Sequence, residues 1–411
     1  MYGKDDIRLE EFELPAIWED EILVRVVTDS LCISTFKALK QGSSHKRVPA
    51  DIGENPVILG HEFAGDIVTV GEKWKGRYRS GERFAIQPNL KTAGILRSPG
   101  YSYRFYGGAS TYCIIPNEAI ESDCLVPYLG KGYFAASLAE PISCVIAGFR
   151  SNYHRDGQSY RHIGGVKKDG NMLIIGGCGP MGLGAVSYAL VMENRPARVV
   201  VTGTHRDKIS RAAVLFESEA VKKGIELHFV NTRDTAEPEA GLKAITKGRG
   251  FDDVFLYVAD SVAAELANCL LAPDGCMNIF AGPANPEFKA SVNLAAVHYL
   301  GNHIVGVSGG LAEDVVEAVR LIETRAIRPE AMITHIGGLN CYKKALLNLY
   351  EMSGHKKLIY TQIEMPLTAI ADFGHIGKNN SLFRDLADCC DSHQGLWNSE
   401  AEKILLDHYA V

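Results

Sequence analysis

Four residues, at three well-separated places in the chain, carry donor atoms of the kind a transition metal binds. Cys32 stands at the end of an apolar run in LCIST, His61 and Glu62 sit together in GHEFAG, and Glu140 opens a helical run in SLAEPIS. A thiolate, an imidazole and carboxylates suit a zinc ion that takes about three protein ligands and keeps one position for water or substrate. Taken singly, each has an ordinary alternative: a core thiol, a buried imidazole, a helix-start carboxylate serving the dipole. Spacing alone does not exclude these; convergence in the fold would.

A second chemical signal is Gly177-Cys178-Gly179-Pro180-Met181-Gly182, which follows the apolar run MLII and precedes the helical GAVSYALVM. In that setting the glycines allow a tight strand-to-helix turn, close approach of backbone to a pyrophosphate and tight helix packing, with the helix N-terminus facing the phosphates. The alternative is a Gly-rich turn that binds nothing. The next strand, RVVVT, ends at Gly203, where an NAD enzyme commonly has Asp or Glu for the ribose hydroxyls. Here Gly203 is followed by Thr204, His205 and Arg206, donors that a 2′-phosphate can use, so NADP(H) is favoured over NAD(H). Arg206 also reads as the solvated start of a helix.

The elements that must position these residues fall into two textures. To about residue 145 the chain runs as short strands broken by Gly and Pro (EILVRVVTDSLC, EFAGDIVTVG, ERFAIQP, ASTYCIIP), which predicts an antiparallel β domain. From Asn171 onward, apolar runs (NMLIIGG, RVVVTG, IELHFVN, FDDVFLYV, CMNIFAG, NHIVGV) alternate with helical patterns, which predicts a doubly wound parallel sheet. The polar, Gly-rich stretch from Gly157 to Gly170 reads as a link between them. After about Val307 a helix (EDVVEAVRLIETRA) and a strand (KKLIYTQIE) return to the first domain, and the residues from Pro366 are helical without a motif. The expected division is 1–147, 148–306 and 307–411.

The chain's 411 residues fit two domains, and 46% hydrophobic and 22% charged residues are ordinary for a globular protein. The formal charge of -6, with scattered Lys and Arg, offers no footprint for nucleic acid. No run approaches the roughly 18 apolar residues that span a bilayer, and the charged start MYGKDDIRLE is unlike a signal peptide, so a cytoplasmic location without a membrane partner is expected. The ten cysteines are dispersed, with only Cys389 and Cys390 adjacent, which argues for reduced thiols over a disulfide framework.

Cys32-x-Ser34, GHEFAG, Glu140-Pro141 and GCGPMG occur in the order and at roughly the intervals of the medium-chain zinc alcohol and sorbitol dehydrogenases, which this chain resembles up to about Glu364. Within that superfamily the runs EPISCVIAGF, AMITHIGGL and KKLIYTQIEMPLTAIADFG are most similar to the L-sorbose 1-phosphate reductase group. The resemblance implies an α/β protein with a GroES-like antiparallel β catalytic domain, built from both ends of the chain, and a Rossmann domain between. It implies that Cys32 supplies the thiolate ligand, His61 the imidazole, Glu62 the adjacent carboxylate and Glu140 a carboxylate that binds directly or through water. Ser34 matches the hydroxyl that relays the alcohol proton.

Two departures stand out. The lobe QPNLKTAGILRSPGYSYRFYGGASTYC has Cys113 alone where a structural zinc would need four cysteines, so one catalytic zinc is expected and no structural one. Thr35 takes the place of the usual Asp after the relay hydroxyl, so a carboxylate orienting His61 must come from elsewhere or be absent.

The implied activity is zinc-dependent hydride transfer between NAD(P)(H) and a polyol or keto sugar, and the narrower resemblance implies a phosphate on it that some of Lys37, Lys40, Lys46, Arg47, Arg97 and Arg104 would receive. A dehydrogenase of free polyols or secondary alcohols is the alternative enzyme, and a cofactor-binding protein without turnover the alternative class. A homo-oligomer is expected, because the region from CMNIFAG to NHIVGV often pairs subunits in such proteins.

Overall fold

The computed structural model describes residues 1–90, 96–283, 285 and 287–411, so residues 91–95 of the cysteine-poor lobe lie outside the described part. The strands, in chain order, are β1 (Ile22–Ser30), β2 (Phe63–Val70), β3 (Arg83–Ile86), β4 (Tyr112–Ile115), β5 (Leu125–Pro127), β6 (Tyr153–Arg155), β7 (His162–Gly164) and β8 (Asn171–Ile175). They continue as β9 (Arg198–Gly203), β10 (Glu226–Asn231), β11 (Phe251–Leu256), β12 (Leu271–Ile279), β13 (His303–Gly306), β14 (Ile333–Gly338), β15 (Lys356–Tyr360) and β16 (Thr368–Ala369).

The chain divides into two compact units. The first combines Met1–Pro141, Leu311–Arg325 and Met332–Val411; the second holds Ile142–Gly310 and Ala326–Ala331. The first unit therefore stops inside the helix Ala139–Ser151, short of residue 147, and resumes at Leu311 rather than 307.

In the first unit one sheet runs in the order β16-β14-β15-β1-β2-β3-β5, with β4 also paired to β1. Strand β1 is its axis. It pairs antiparallel with β2, β4 and β15, so the N-terminal and C-terminal parts of the chain meet on one nine-residue strand. Its residues Ile22, Val24 and Val26 are fully buried with Phe63, Phe84 and Ile115, and this apolar burial is the main force assembling the sheet. A second cluster joins Leu31, Ala38 and Leu39 to Tyr101, Leu346 and Ile359, and fixes the helix Ile33–Gln41 against the sheet.

In the second unit the sheet order is β10-β9-β8-β11-β12-β13, parallel throughout. The five residues of β8 are all buried, as expected for a central parallel strand covered on both faces. Order reverses beside β8, the topological switch point where ligands bind in doubly wound sheets. The stretch Gly157–Gly170 is more than a link: β7 folds back antiparallel on β6 as a short hairpin.

The tail forms helices Phe373–Ile376, Ser381–Asp391 and Ser399–His408, with Asn380 and Asn398 capping the last two through their side-chain oxygens. Among the described residues all ten cysteines are free, and no helix is long and apolar enough to cross a membrane.

Candidate metal centre and dinucleotide site

The backbone brings Cys32, His61 and Glu62 together by register. Asp29 of β1 faces Phe63 of β2, and the Ser30 amide donates to the Glu62 carbonyl at 3.0 Å, so the residues following one strand meet those preceding the other. Gly60, with φ +86, makes the turn before His61; a Cβ there would lie 2.4 Å from Asp29 Oδ2 and 2.8 Å from the Ala109 amide nitrogen. Only glycine fits. Cys32 is the extended residue before the helix Ile33–Gln41, which places Ser34 and Thr35 in its first turn beside the sulfur.

One donor atom each from Cys32, His61 and Glu62 lies within 4.8 Å of the other two. Ser34 Oγ is 2.9 Å from Cys32 Sγ and 3.3 Å from His61 Nε2, and the Tyr101 hydroxyl approaches the same nitrogen at 3.5 Å. On the other side of the ring Thr35 Oγ1 is 3.1 Å from His61 Nδ1. With Nδ1–H donating to Thr35, the lone pair sits on Nε2, toward the sulfur and the Ser34 hydroxyl. Thr35 itself thus does the orienting, in the position where a carboxylate was missed.

Glu62 is more committed. Its Oε2 accepts from the Lys356 ammonium and from the Ser30 hydroxyl, which leaves Oε1 as the oxygen not so engaged. Lys356 is buried with it at the start of β15. Burial, the largest single influence, raises Glu62, but the Lys356 charge, His61 and the hydrogen bonds from Lys356 and Ser30 together outweigh it and hold the carboxyl below its ordinary value. Burial, then the Glu62 charge, pushes the Cys32 thiol up to about 12, and burial lowers His61 to about 4. The imidazole is therefore neutral across the physiological range, the form that ligates a metal.

Glu140 stands apart. It is buried in the first turn of its helix, and its negative charge is felt at Cys32, Tyr101 and Lys356, yet its carboxylate is not within the three-donor cluster. Structure thus joins three of the four expected donors.

Lys356 and Tyr101 escaped sequence reasoning. The available signal for Lys356 was two lysines opening an otherwise apolar strand, since a lysine is almost never fully buried unless paired. Of the cations named as phosphate receivers, Arg47 lies over the Tyr101 ring at 5.7 Å, and that ring is 5.0 Å from His61. Lys40 is instead paired with Asp5 at 2.8 Å, and Arg97 and Arg104 lie over Tyr103 and Phe105.

In the second unit, Gly179 is the residue before the helix Pro180–Ala189, with Pro180 as its first residue, Met181 next and Gly182 buried behind. A Cβ on Gly182 would lie 2.4 Å from the Gly177 Cα, and one on Gly177 would lie 2.5 Å from Val201. The turn is closed by the Gly177 amide donating to Thr202 carbonyl at 3.0 Å. At the end of β9, Gly203 packs against Cys178, and Thr204 Oγ1 is 3.0 Å from His205 Nδ1. Arg206 is exposed and paired through Nε with Asp234 Oδ2 at 3.0 Å. Sequence reading missed Asp234.

Residues 18–127 match the alcohol dehydrogenase GroES-like domain and residues 180–324 the zinc-binding dehydrogenase family. The chain is 45% identical to mannitol-1-phosphate 5-dehydrogenase of Aliivibrio fischeri, across 100% of this chain and 97% of that protein. It belongs to the zinc-type medium-chain dehydrogenases. To another member of this family, L-sorbose 1-phosphate reductase of Klebsiella pneumoniae, it is 43% identical, covering 99% of this chain and 96% of that one. The medium-chain dehydrogenase fold is seen again in 2R,3R-butanediol dehydrogenase from Bacillus subtilis, with a TM-score of 0.71 at 20% identity over 88% of this chain and 98% of that one. The chain is an oxidoreductase of this family, with a GroES-like unit and a Rossmann-type sheet.

Proposed function

We infer that this dehydrogenase interconverts a polyol phosphate and a keto sugar phosphate using a nicotinamide dinucleotide, NADP(H) in preference to NAD(H), with one catalytic zinc at Cys32, His61 and Glu62. The observation that carries the reading is the convergence of those three donors, buried, with a hydroxyl between sulfur and imidazole. The donor set suits zinc in chemistry and number. When bound, zinc supplies Lewis acidity to a substrate oxygen and the nicotinamide supplies or takes the hydride.

The chain's own residues do the rest. Cys32 and His61 hold the ion, Thr35 fixes the imidazole, and Lys356 fixes the Glu62 carboxylate. Ser34 Oγ, within 3.3 Å of both Cys32 Sγ and His61 Nε2, is the group that hands a proton to or from the substrate oxygen. Glu140 acts through its charge or a water, not as one of the three close donors. The names of two relatives, mannitol-1-phosphate 5-dehydrogenase and L-sorbose 1-phosphate reductase, support a phosphorylated substrate, and we assign its phosphate to Arg47, which lies over the Tyr101 ring.

Cofactor assignment follows the second unit. Gly177, Gly179, Pro180, Met181 and Gly182 form the turn for the pyrophosphate, while Gly203, Thr204, His205 and Arg206 face the ribose end without a carboxylate on the strand. We place the enzyme in the cytoplasm as a homo-oligomer that pairs through β13 and the helix Leu294–Leu300, where Leu294, Tyr299 and Ile304 are exposed.

The test is a panel of polyol phosphates and their free polyols with NADPH and NADH, followed by nicotinamide absorbance. Phosphate esters should turn over and free polyols should not. Cys32→Ser should keep dinucleotide binding and lose turnover, and Arg47→Ala should raise KM for the ester alone. Full activity in Cys32→Ser would discard the centre, and equal turnover of free polyols would discard the phosphate.

A further inference from the structure

The C-terminal helices hold a second cluster of metal-type donors outside the centre described above. One donor atom each from Cys389, His393 and Glu400 lies within 4.8 Å of the other two. Cys389 is in the last turns of the helix Ser381–Asp391, His393 follows its end, and Glu400 is in the first turn of the helix Ser399–His408. We propose that these three residues bind a divalent cation of the zinc class, which ties the two helices together.

The local hydrogen bonds suit that role. His393 Nδ1 is 2.9 Å from the Cys389 carbonyl oxygen, which can only accept, so Nδ1 carries the proton and Nε2 the lone pair. A backbone carbonyl orienting one ring nitrogen while the other ligates is the usual outer partner of a metal-bound histidine. Cys389 Sγ donates to Asn398 Oδ1 at 3.4 Å. That oxygen also accepts from the Glu400 and Ala401 amides at 3.0 Å, so it stays satisfied when the thiol proton leaves. The same asparagine holds the sulfur and the turn that bears the carboxylate at one place. Binding would replace the Cys389 proton, released to solvent, with the ion. A thiolate, an imidazole and a carboxylate fill three tetrahedral positions and leave one for water, and the half-exposed cysteine and histidine leave an entry path.

This cluster is unrelated to the four-cysteine lobe of other zinc dehydrogenases, and it does not depend on the activity assigned above. Its consequence is local: the second helix carries Glu402, a buried contact to the first unit's core.

The test uses the full chain with cobalt(II) as the probe, in the Cys32→Ser background so that no thiolate remains at the other centre. A thiolate-to-cobalt charge-transfer band in the near ultraviolet should appear in Cys32→Ser, and it should vanish in Cys32→Ser/Cys389→Ala. Should the latter misfold by circular dichroism, Cys32→Ser/His393→Ala replaces it and should weaken cobalt binding at least tenfold. No band in Cys32→Ser at saturating cobalt, a band that persists without Cys389, or unchanged affinity without His393 overturns the proposal.

Discussion

At the scale of single residues, Thr35 shows how a neutral group can stand where a carboxylate is usual. Its hydroxyl fixes the His61 ring through Nδ1 without adding negative charge to a pocket that already holds Glu62 and feels Glu140. Thr35→Val keeps the shape and removes the acceptor, so zinc affinity should fall about 10- to 100-fold in chelator competition, while Thr35→Ser should retain it. Unchanged affinity in Thr35→Val would show that the ring is held by packing alone. Lys356 is the second residue of this kind. Lys356→Met would strand the Glu62 carboxylate in the interior, at a cost of about 3–5 kcal/mol in denaturant unfolding. Adding Glu62→Gln should return most of that loss, because the charge, not the shape, is the penalty. Cys32, His61 and Glu62 were picked out in sequence by the order and intervals of the motifs that carry them, since each side chain taken singly has an ordinary reading. Lys356 was not, because it is 294 residues from Glu62 and only the fold makes them neighbours.

Among the elements, the strand-turn-helix of the second unit separates two jobs that one glycine motif performs. Gly182 packs on the Gly177 backbone, and a methyl there would meet a Cα at 2.4 Å with no side chain to swing away. The nearest atom to a Cβ on Gly179 is the Gly176 carbonyl oxygen at 3.6 Å, an ordinary contact, and its φ of -83 suits any residue. Gly182→Ala should therefore lower the melting temperature of the second unit as well as dinucleotide affinity. Gly179→Ala should leave the melting temperature unchanged and weaken dinucleotide binding alone, read by calorimetric titration with NADPH. Equal loss of stability in both variants would mean the turn is not built as described. Each of the six parallel strands was readable as an apolar run. Burial demands such runs in the inner strands β8, β9, β11 and β12, whereas the edge strands β10 and β13 are half-exposed and were legible through their place in the strand–helix alternation. The hairpin of β6 and β7 was not: all three residues of β7 are exposed, so no periodicity marks it.

Over the whole molecule, the first unit is closed by its own C-terminal tail, which no sequence motif announced because its work is packing and hydrogen bonding. Glu402 Oε2 accepts from the Tyr133 amide, and Oε1 accepts from the Phe134 amide and the Tyr360 hydroxyl. Trp397, fully buried, donates from its indole to the same Tyr360 oxygen. Residues 269 positions apart are thereby joined at one carboxylate. Burial raises Glu402 from its ordinary 4.5 to about 6, despite the opposing hydrogen bonds. Between those two values the unfolded chain has released the proton that the folded chain still holds. Stability from this group is therefore greatest below pH 4.5 and falls by about 2 kcal/mol as pH rises to 6, after which it is flat. Other carboxylates titrate with the opposite sign, Asp274 for one, so the reading is the difference between two curves. Glu402→Gln should be less stable at every pH, since its amide meets backbone donors, but it should lack the fall. Unfolding midpoints measured from pH 4 to 7 should therefore converge for wild type and variant as pH rises. Parallel curves would mean that Glu402 ionises in the folded protein as it does in water, and that burial does not set its charge.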